Sequence, residues 1–244
     1  MELVQTRSSE DFIQRTDLSR AELLKDSFPI ILYLLLSPFY FFPSGLPQIA
    51  DFVLILGITF VIARRRGIVW PTSRFVKVLY VFLFNIIMVN LLTAFFLQTT
   101  GPILPTLYYI YNSIVVFFIL GLSAIHGSSL NKVFFWSVVV SSLLQFALIV
   151  VRMDFTSFRQ VGFFNNPNQL GYYSLINLAI IAVTSREVRT SRGFLVVIIV
   201  GNLFLAMLSN SKAALISSVI IVVPIFLQLF RRGRFRRTQL TFLI

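Results

Sequence analysis

Val76-Lys-Val-Leu-Tyr-Val-Phe-Leu-Phe-Asn-Ile-Ile-Met-Val-Asn-Leu-Leu-Thr-Ala-Phe-Phe-Leu97 decides the fold class. This run carries one charge, Lys77, near its start, and no proline or glycine. It is long enough for a helix to cross a hydrocarbon layer of about 30 Å. Similar apolar stretches recur on both sides of it, from Phe28 toward the C-terminus. The chain is 57% hydrophobic and 12% charged, with mean hydropathy +0.86. Soluble domains carry roughly twice that charge. The reading is all-α: a polytopic helical membrane protein with about eight transmembrane spans.

Those spans are expected at 28–43, 48–63, 76–97, 103–125, 133–151, 168–184, 194–209 and 213–230. Residues 1–27 form a polar N-terminal segment, 28–230 the transmembrane domain, and 231–244 a basic segment with the possible start of a further span. The first two spans are short, and Pro43-Ser-Gly-Leu-Pro47 breaks the helix between them. The N-terminus lacks the basic-then-apolar order of a signal peptide. Cysteine is absent, which excludes disulfides and thiolate metal sites, and the single histidine is too few for a His-based cluster.

The net charge of +12 is unevenly distributed. Residues 1–26 hold four basic and six acidic side chains, and the rest hold seventeen and three. Most basic residues fall in short loops between apolar runs, so they report orientation and not a nucleic-acid surface. With the N-terminus in the cytoplasm, eighteen of the 21 lie inside. Arg152, Arg159 and Lys212 remain outside, against the usual bias.

All three lie in or beside two polar outer segments, 152–169 and 209–212. Between the fifth and sixth spans runs Arg159-Gln-Val-Gly-Phe-Phe-Asn-Asn-Pro-Asn-Gln-Leu-Gly171. Asn166-Pro167-Asn168 signals a helix start, with Asn as cap and Pro at the first helical position. The positive end of that helix would face the loop carrying Arg159, and Gly162 gives the loop a place to turn with positive φ. The eighth span starts near Ser209-Asn-Ser-Lys-Ala213, with Ser209 or Ser211 as its cap. Lys212 in its first turn is unfavourable by roughly 0.3–1 kcal/mol unless an anion offsets it. Two cations at two helix starts suit a phosphate. The competing readings are lipid-headgroup contacts for Arg159 and Lys212, and a local ion pair with Asp154 or an interfacial anchor for Arg152.

Other polar residues read as structural. Asp51 complements the dipole at the start of the second helix. Tyr108, Tyr109 and Tyr111 suit a membrane interface. Asn85, Asn90, Asn112, Asn177 and Asn202 are expected to hydrogen-bond between helices. His126 falls on the cytoplasmic side, and Arg231–Arg237 forms an inside anchor with affinity for anionic lipid.

The pattern Arg159-x-x-Gly162-x-x-x-Asn166-Pro167-Asn168, followed by an apolar helix, resembles the signature of the O-antigen ligase and O-antigen polymerase superfamily. A second element of that family, Ser-Arg-Gly or Ser-Arg-Ala at a helix start two spans later, is matched by Ser211-Lys212-Ala213, with Lys in place of Arg. The resemblance implies a bacterial inner-membrane glycosyltransferase of the cell envelope, active in lipopolysaccharide or other polysaccharide biosynthesis. It would transfer a glycan from an undecaprenyl diphosphate donor to a glycan or lipid acceptor at the outer face. It also implies no metal and no cofactor, with Arg159 and Lys212 holding the donor diphosphate and Gly162, Asn166, Pro167, Asn168 and Ser211 shaping the motif. Family ligases carry a later outer loop with further basic residues and a His, so the chain is expected to be the N-terminal portion of a longer protein. The alternatives are a carrier or flippase for an anionic lipid-linked solute, or a non-catalytic assembly partner.

Overall fold

The computed structural model describes residues 3–43, 46–67, 74–152 and 159–231. Within them the chain is helical, without strands: α1 Leu3–Leu36, α2 Ile49–Arg65, α3 Arg74–Leu97, α4 Ile103–His126, α5 Ser128–Arg152, α6 Pro167–Thr184, α7 Arg192–Ser209 and α8 Lys212–Arg231. Four of these, α3, α4, α5 and α7, are long and apolar enough to cross a membrane, fewer than the eight expected. Helix α8 contains a shorter apolar stretch, Lys212–Leu227. Helix α2 has only 17 residues. Helix α6, at 18, carries Asn168, Gln169, Ser174, Asn177 and Thr184 and falls short in apolarity.

Seven helices fall close to their expected positions, and the first does not. Helix α1 begins at Leu3, not Phe28, and stops at Leu36, not at 43. No proline or glycine interrupts residues 3–28, so polar helix formers sustain the structure there. Pro38 then disfavours helical geometry at Ser37 and cannot donate a backbone hydrogen bond itself. The chain from 37 to 48 turns back instead. Gln48 knits that turn: its Oε1 accepts from the backbone N–H of Phe41 and Phe42, both at 3.0 Å, while its Nε2 donates to the carbonyls of Phe42 and Leu46. Asp51, in the first turn of α2, accepts from the Gln48 N–H at 2.7 Å, in keeping with its expected role. Ser44 and Gly45 of the expected hairpin lie outside the described residues, as do Asp154 and the cluster from Arg232 to Arg237.

The chain divides into two compact units, residues 1–27 with 57–130, and residues 28–56 with 131–244. In the first, α3 lies against α4. Asn90 Nδ2 donates to Thr106 Oγ1 at 2.8 Å, and the Tyr80 and Phe117 rings stack 4.8 Å apart. The apolar window of α3 is otherwise uncovered, with Phe84, Phe95 and Phe96 exposed, a surface suited to lipid. Asn90 pairs between helices as expected. Asn85 does not: its amide donates to Val81 O of its own helix.

The same unit contains an ion cluster that sequence reasoning missed. Asp26, fully buried, is paired with Arg64 and Arg65 at the end of α2, with Arg65 Nε at 2.6 Å. His126 Nε2, at the end of α4, lies 2.8 Å from Asp26 Oδ2. Burial pushes the carboxyl up, but hydrogen bonds from Arg65, His126 and Arg64 outweigh it and hold Asp26 below the ordinary carboxylate value. A lowered native pKa contributes stability that is complete above the unfolded value of about 3.9 and lost as pH falls through the native one. Asp26→Asn is expected to cost about 2 kcal/mol at neutral pH, because two partly exposed arginines lose their counter-charge. Thermal unfolding in detergent checks this. An unchanged midpoint, and no Asp26-dependent loss below pH 4, would mean the cluster contributes nothing.

The second unit packs α6 along both α7 and α8. Its interior carries a connected polar network. Ser141 Oγ and Tyr173 Oη lie 2.6 Å apart, Asn177 Nδ2 donates to Ser142 Oγ at 3.1 Å, and Ser142 Oγ donates to Asn202 Oδ1 at 3.2 Å. Ser174 donates to the Asn202 carbonyl. All are buried, so each bond replaces one that water would otherwise make. Asn177 and Asn202 thus join helices, as expected of polar residues inside spans.

Candidate functional site: the 159–166 loop and the helix ends around it

The described part of the loop after α5, residues 159–166, is held at both ends and in the middle. At its start, the Gln160 N–H donates to Leu208 O at 2.9 Å, near the end of α7. Arg159 then bridges two helices: Nε donates to Ser209 O at 3.3 Å, and Nη2 donates to Asn168 Oδ1 at 3.0 Å. At its end, Asn166 caps α6. The Asn166 side chain accepts from Gln169 N at 3.1 Å, and the Gln169 side chain accepts from Asn166 N, with Pro167 at the first helical position. This reciprocal capping satisfies two of the three N–H groups left open at this helix start, since Pro167 has none.

Two aromatic side chains pin the middle. Phe164 enters the core with Ile149, Leu170, Tyr173 and Leu205. Phe163 lies beneath Arg152, whose guanidinium carbon is 3.8 Å from the ring centroid, a cation–π contact. Arg152 therefore has a partner in this loop that the sequence reading did not name. From the 37–48 turn, the Tyr40 N–H donates to Phe163 O at 3.1 Å, and Asn165 Nδ2 donates to Phe42 O at 2.6 Å.

Gly162 has φ of +60°, the left-handed value expected of it. A Cβ there would fall 2.6 Å from Gln145 Nε2 and 3.1 Å from Ile149 Cγ1. Gln145 lies seven residues before the end of α5 at Arg152, about 10 Å along a helix. The loop therefore dips below the end of α5.

Between α7 and α8 the chain turns within two residues. Asn210 takes φ of +49° and its N–H donates to Met207 O at 2.9 Å. Ser209 closes this turn: its hydroxyl donates to Ala206 O at 2.7 Å and accepts from Ser211 N at 3.2 Å. Ser209 therefore serves the end of α7 and not the start of α8, a correction to one of the two expected caps. Buried Ser211 immediately precedes α8, and its carbonyl accepts from Leu215 N at 2.9 Å. Lys212 is exposed at the first position of α8.

These contacts bring the candidate residues to one end of the second unit. Arg159 touches the carbonyl of Ser209, and Ser209 to Lys212 spans at most about 10 Å even if extended. Arg159 adjoins the start of α6, and Lys212 stands at the start of α8. Gly171, one turn into α6, makes this proximity possible. A Cβ there would lie 2.7 Å from Ser209 Oγ, 2.9 Å from Ala214 Cβ and 3.1 Å from Ser211 Cβ. Sequence reasoning missed its role, although it closes the quoted segment. Two cations beside two helix starts suit an anion with more than one charged oxygen. Comparison with protein families, characterised proteins and solved structures finds no match for this chain.

Proposed function

We propose that the chain is a glycan ligase- or polymerase-like glycosyltransferase of the bacterial inner membrane, crossing it about eight times with the N-terminus inside. Its donor is an undecaprenyl-diphosphate-linked oligosaccharide at the outer face, and its acceptor is a glycan or lipid hydroxyl. The bond from the sugar anomeric carbon to the diphosphate oxygen breaks, and a bond from that carbon to the acceptor oxygen forms. The acceptor proton leaves to a general base. Negative charge develops on the departing carrier diphosphate, and fixed cations in a water-poor site stabilise it most. Arg159 supplies a planar fork of donors and Lys212 a compact point charge. The single observation carrying the reading is the bridge from Arg159 to Asn168 and Ser209, which holds a cation between the start of α6 and the turn leading to Lys212.

One observation favours a second reading. Ser209 O belongs to the end of α7, where a cation is stabilised by roughly 0.3–1 kcal/mol. Arg159 can then serve as a clamp in a carrier or assembly partner. A carrier needs charges or broken helices at mid-depth. The buried polar residues described within the second unit are neutral hydroxyls and amides, which favours the enzyme. Purified protein in vesicles, supplied with labelled undecaprenyl-diphosphate-linked glycan and acceptor, should form transfer product in proportion to protein. Movement of the labelled lipid across the bilayer without product would replace the enzyme with a carrier.

A further inference from the structure

Asn85 stands at the middle of α3, eleven residues from Arg74 and twelve from Leu97. At 1.5 Å per residue it lies about 17 Å from either end, deep in the hydrocarbon of a membrane the helix crosses. It is exposed there among apolar neighbours. Its Nδ2 donates to Val81 O at 2.8 Å, within the same helix. That bond leaves Oδ1 and the second amide hydrogen without a partner among the described residues. Lipid chains offer a carboxamide no hydrogen bond, so the position is costly unless another polar group meets it. Leucine would suit a purely lipid-facing place better.

The residues around Asn85 indicate what meets it. Val78, Val81, Asn85, Met88 and Leu92 follow one another at spacings of three, four, three and four, and all are exposed. This is the seven-residue repeat by which two helices interlock at a shallow left-handed crossing, with Asn85 at the centre of the seam. Tyr80 and Asn90, which engage α4, lie on the opposite side of the helix. Asn112 of α4 is exposed as well. Tyr108, Val115 and Val116, one turn to either side of it, are half-buried, so no such seam passes through Asn112.

We infer that this stripe of α3 is the contact surface between two copies of the chain, with their Asn85 side chains hydrogen-bonded to each other. Copies inserted in one membrane share an orientation, so their α3 helices run parallel and bring equal residues to equal depth. A primary amide both donates and accepts, so two of them about a two-fold axis pair reciprocally, each giving a hydrogen to the other's Oδ1. A different partner would need a polar group of its own at that depth. A single polar residue in an apolar seam also fixes its register. The inference needs only that α3 crosses the membrane, and it is independent of the reaction proposed above.

The test uses the full chain in phosphatidylcholine vesicles, with self-association read by energy transfer between donor- and acceptor-labelled copies as lipid dilutes them. Wild-type protein is expected to associate reversibly. Asn85→Leu should raise the dissociation constant at least tenfold, because leucine gains nothing by leaving lipid for another apolar helix. Asn85→Gln keeps the amide and should keep most of the association. Asn85→Ala serves if the leucine variant does not fold; if neither folds, the amide is structural and the inference fails. The chain lacks cysteine, so a single introduced one reports one place. Under oxidation Val81→Cys, in the seam, should give a disulfide-linked pair. Phe84→Cys, beside the seam, should not, since a disulfide joins Cβ atoms only about 4 Å apart. Unchanged association in Asn85→Leu, or equal cross-linking at the two positions, overturns the inference. So does a monomeric wild type: if Val81→Cys then reacts with a lipid-soluble maleimide, lipid covers the stripe, and if it does not, another part of the chain covers it.

Discussion

Arg159→Ala is expected to lower glycan transfer at least a hundredfold while leaving membrane insertion intact. Removing one fixed donor from a developing anion costs about 3 kcal/mol in a preorganised site, and that corresponds to a factor of more than a hundred in rate. Arg159→Lys separates charge from geometry. Lysine keeps the positive charge, but one ammonium on a flexible stem does not reproduce the fork that reaches Asn168 Oδ1 and Ser209 O together. Losing one charged hydrogen bond, about 1.5 kcal/mol, leaves roughly a tenth of the wild-type rate. The order Arg, then Lys, then Ala therefore marks a ligand-facing cation. A helix clamp behaves differently: Ala would lower the unfolding temperature, and transfer measured well below it would stay near normal. Rates and unfolding midpoints on the same three preparations decide between them. Wild-type transfer in the folded alanine variant removes Arg159 from the chemistry.

The parts of this architecture that were legible in the sequence are those set by neighbours along the chain. Asn166, Pro167 and Gln169 announce the start of α6 within four residues, and the cap forms as that spacing requires. Gly162 sits where a polar loop must reverse, and it takes a positive φ. Long apolar runs fix α3 and α4 almost to the residue, and the one proline among them, Pro105, falls in the first turn of α4, where it is tolerated. What was illegible depends on residues far apart. Asp26 meets Arg64 and Arg65 some 38 residues later and His126 100 residues later. Nothing in the local sequence around Asp26 distinguishes it from the other acids of a polar segment. Asn85 and Asn90 are both polar breaks in one apolar helix, but only Asn90 finds Thr106 across from it. Pro38 was a readable stop signal for α1, hidden by the apolar residues that follow it. The site divides the same way: Arg159 is legible as an unusual cation, whereas its contacts to Asn168 and Ser209, nine and 50 residues away, are products of packing.

Gly171→Val is expected to destabilise the protein by about 3 kcal/mol, the upper part of the range for overpacking a tight contact. The first added atom alone would meet Ala214 Cβ at 2.9 Å and Ser211 Cβ at 3.1 Å, and neither can swing aside without moving its backbone. It would also meet Ser209 Oγ at 2.7 Å, and that hydroxyl is already committed to Ala206 O and Ser211 N. Relief requires α6 to move away from the turn between α7 and α8. Those are the two elements Arg159 spans, with acceptors on Asn168 and Ser209, so separation stretches one bond or the other and moves the cation relative to Lys212. Stability and transfer should fall together. Gly201→Ala supplies the control, since nothing lies within 4 Å of a Cβ there. In the middle of α7, alanine is favoured over glycine by about 0.5–1 kcal/mol, so that variant should unfold at a slightly higher temperature. If Gly171→Val matches Gly201→Ala in unfolding midpoint and in transfer, the close approach at Gly171 does not set the spacing of the site.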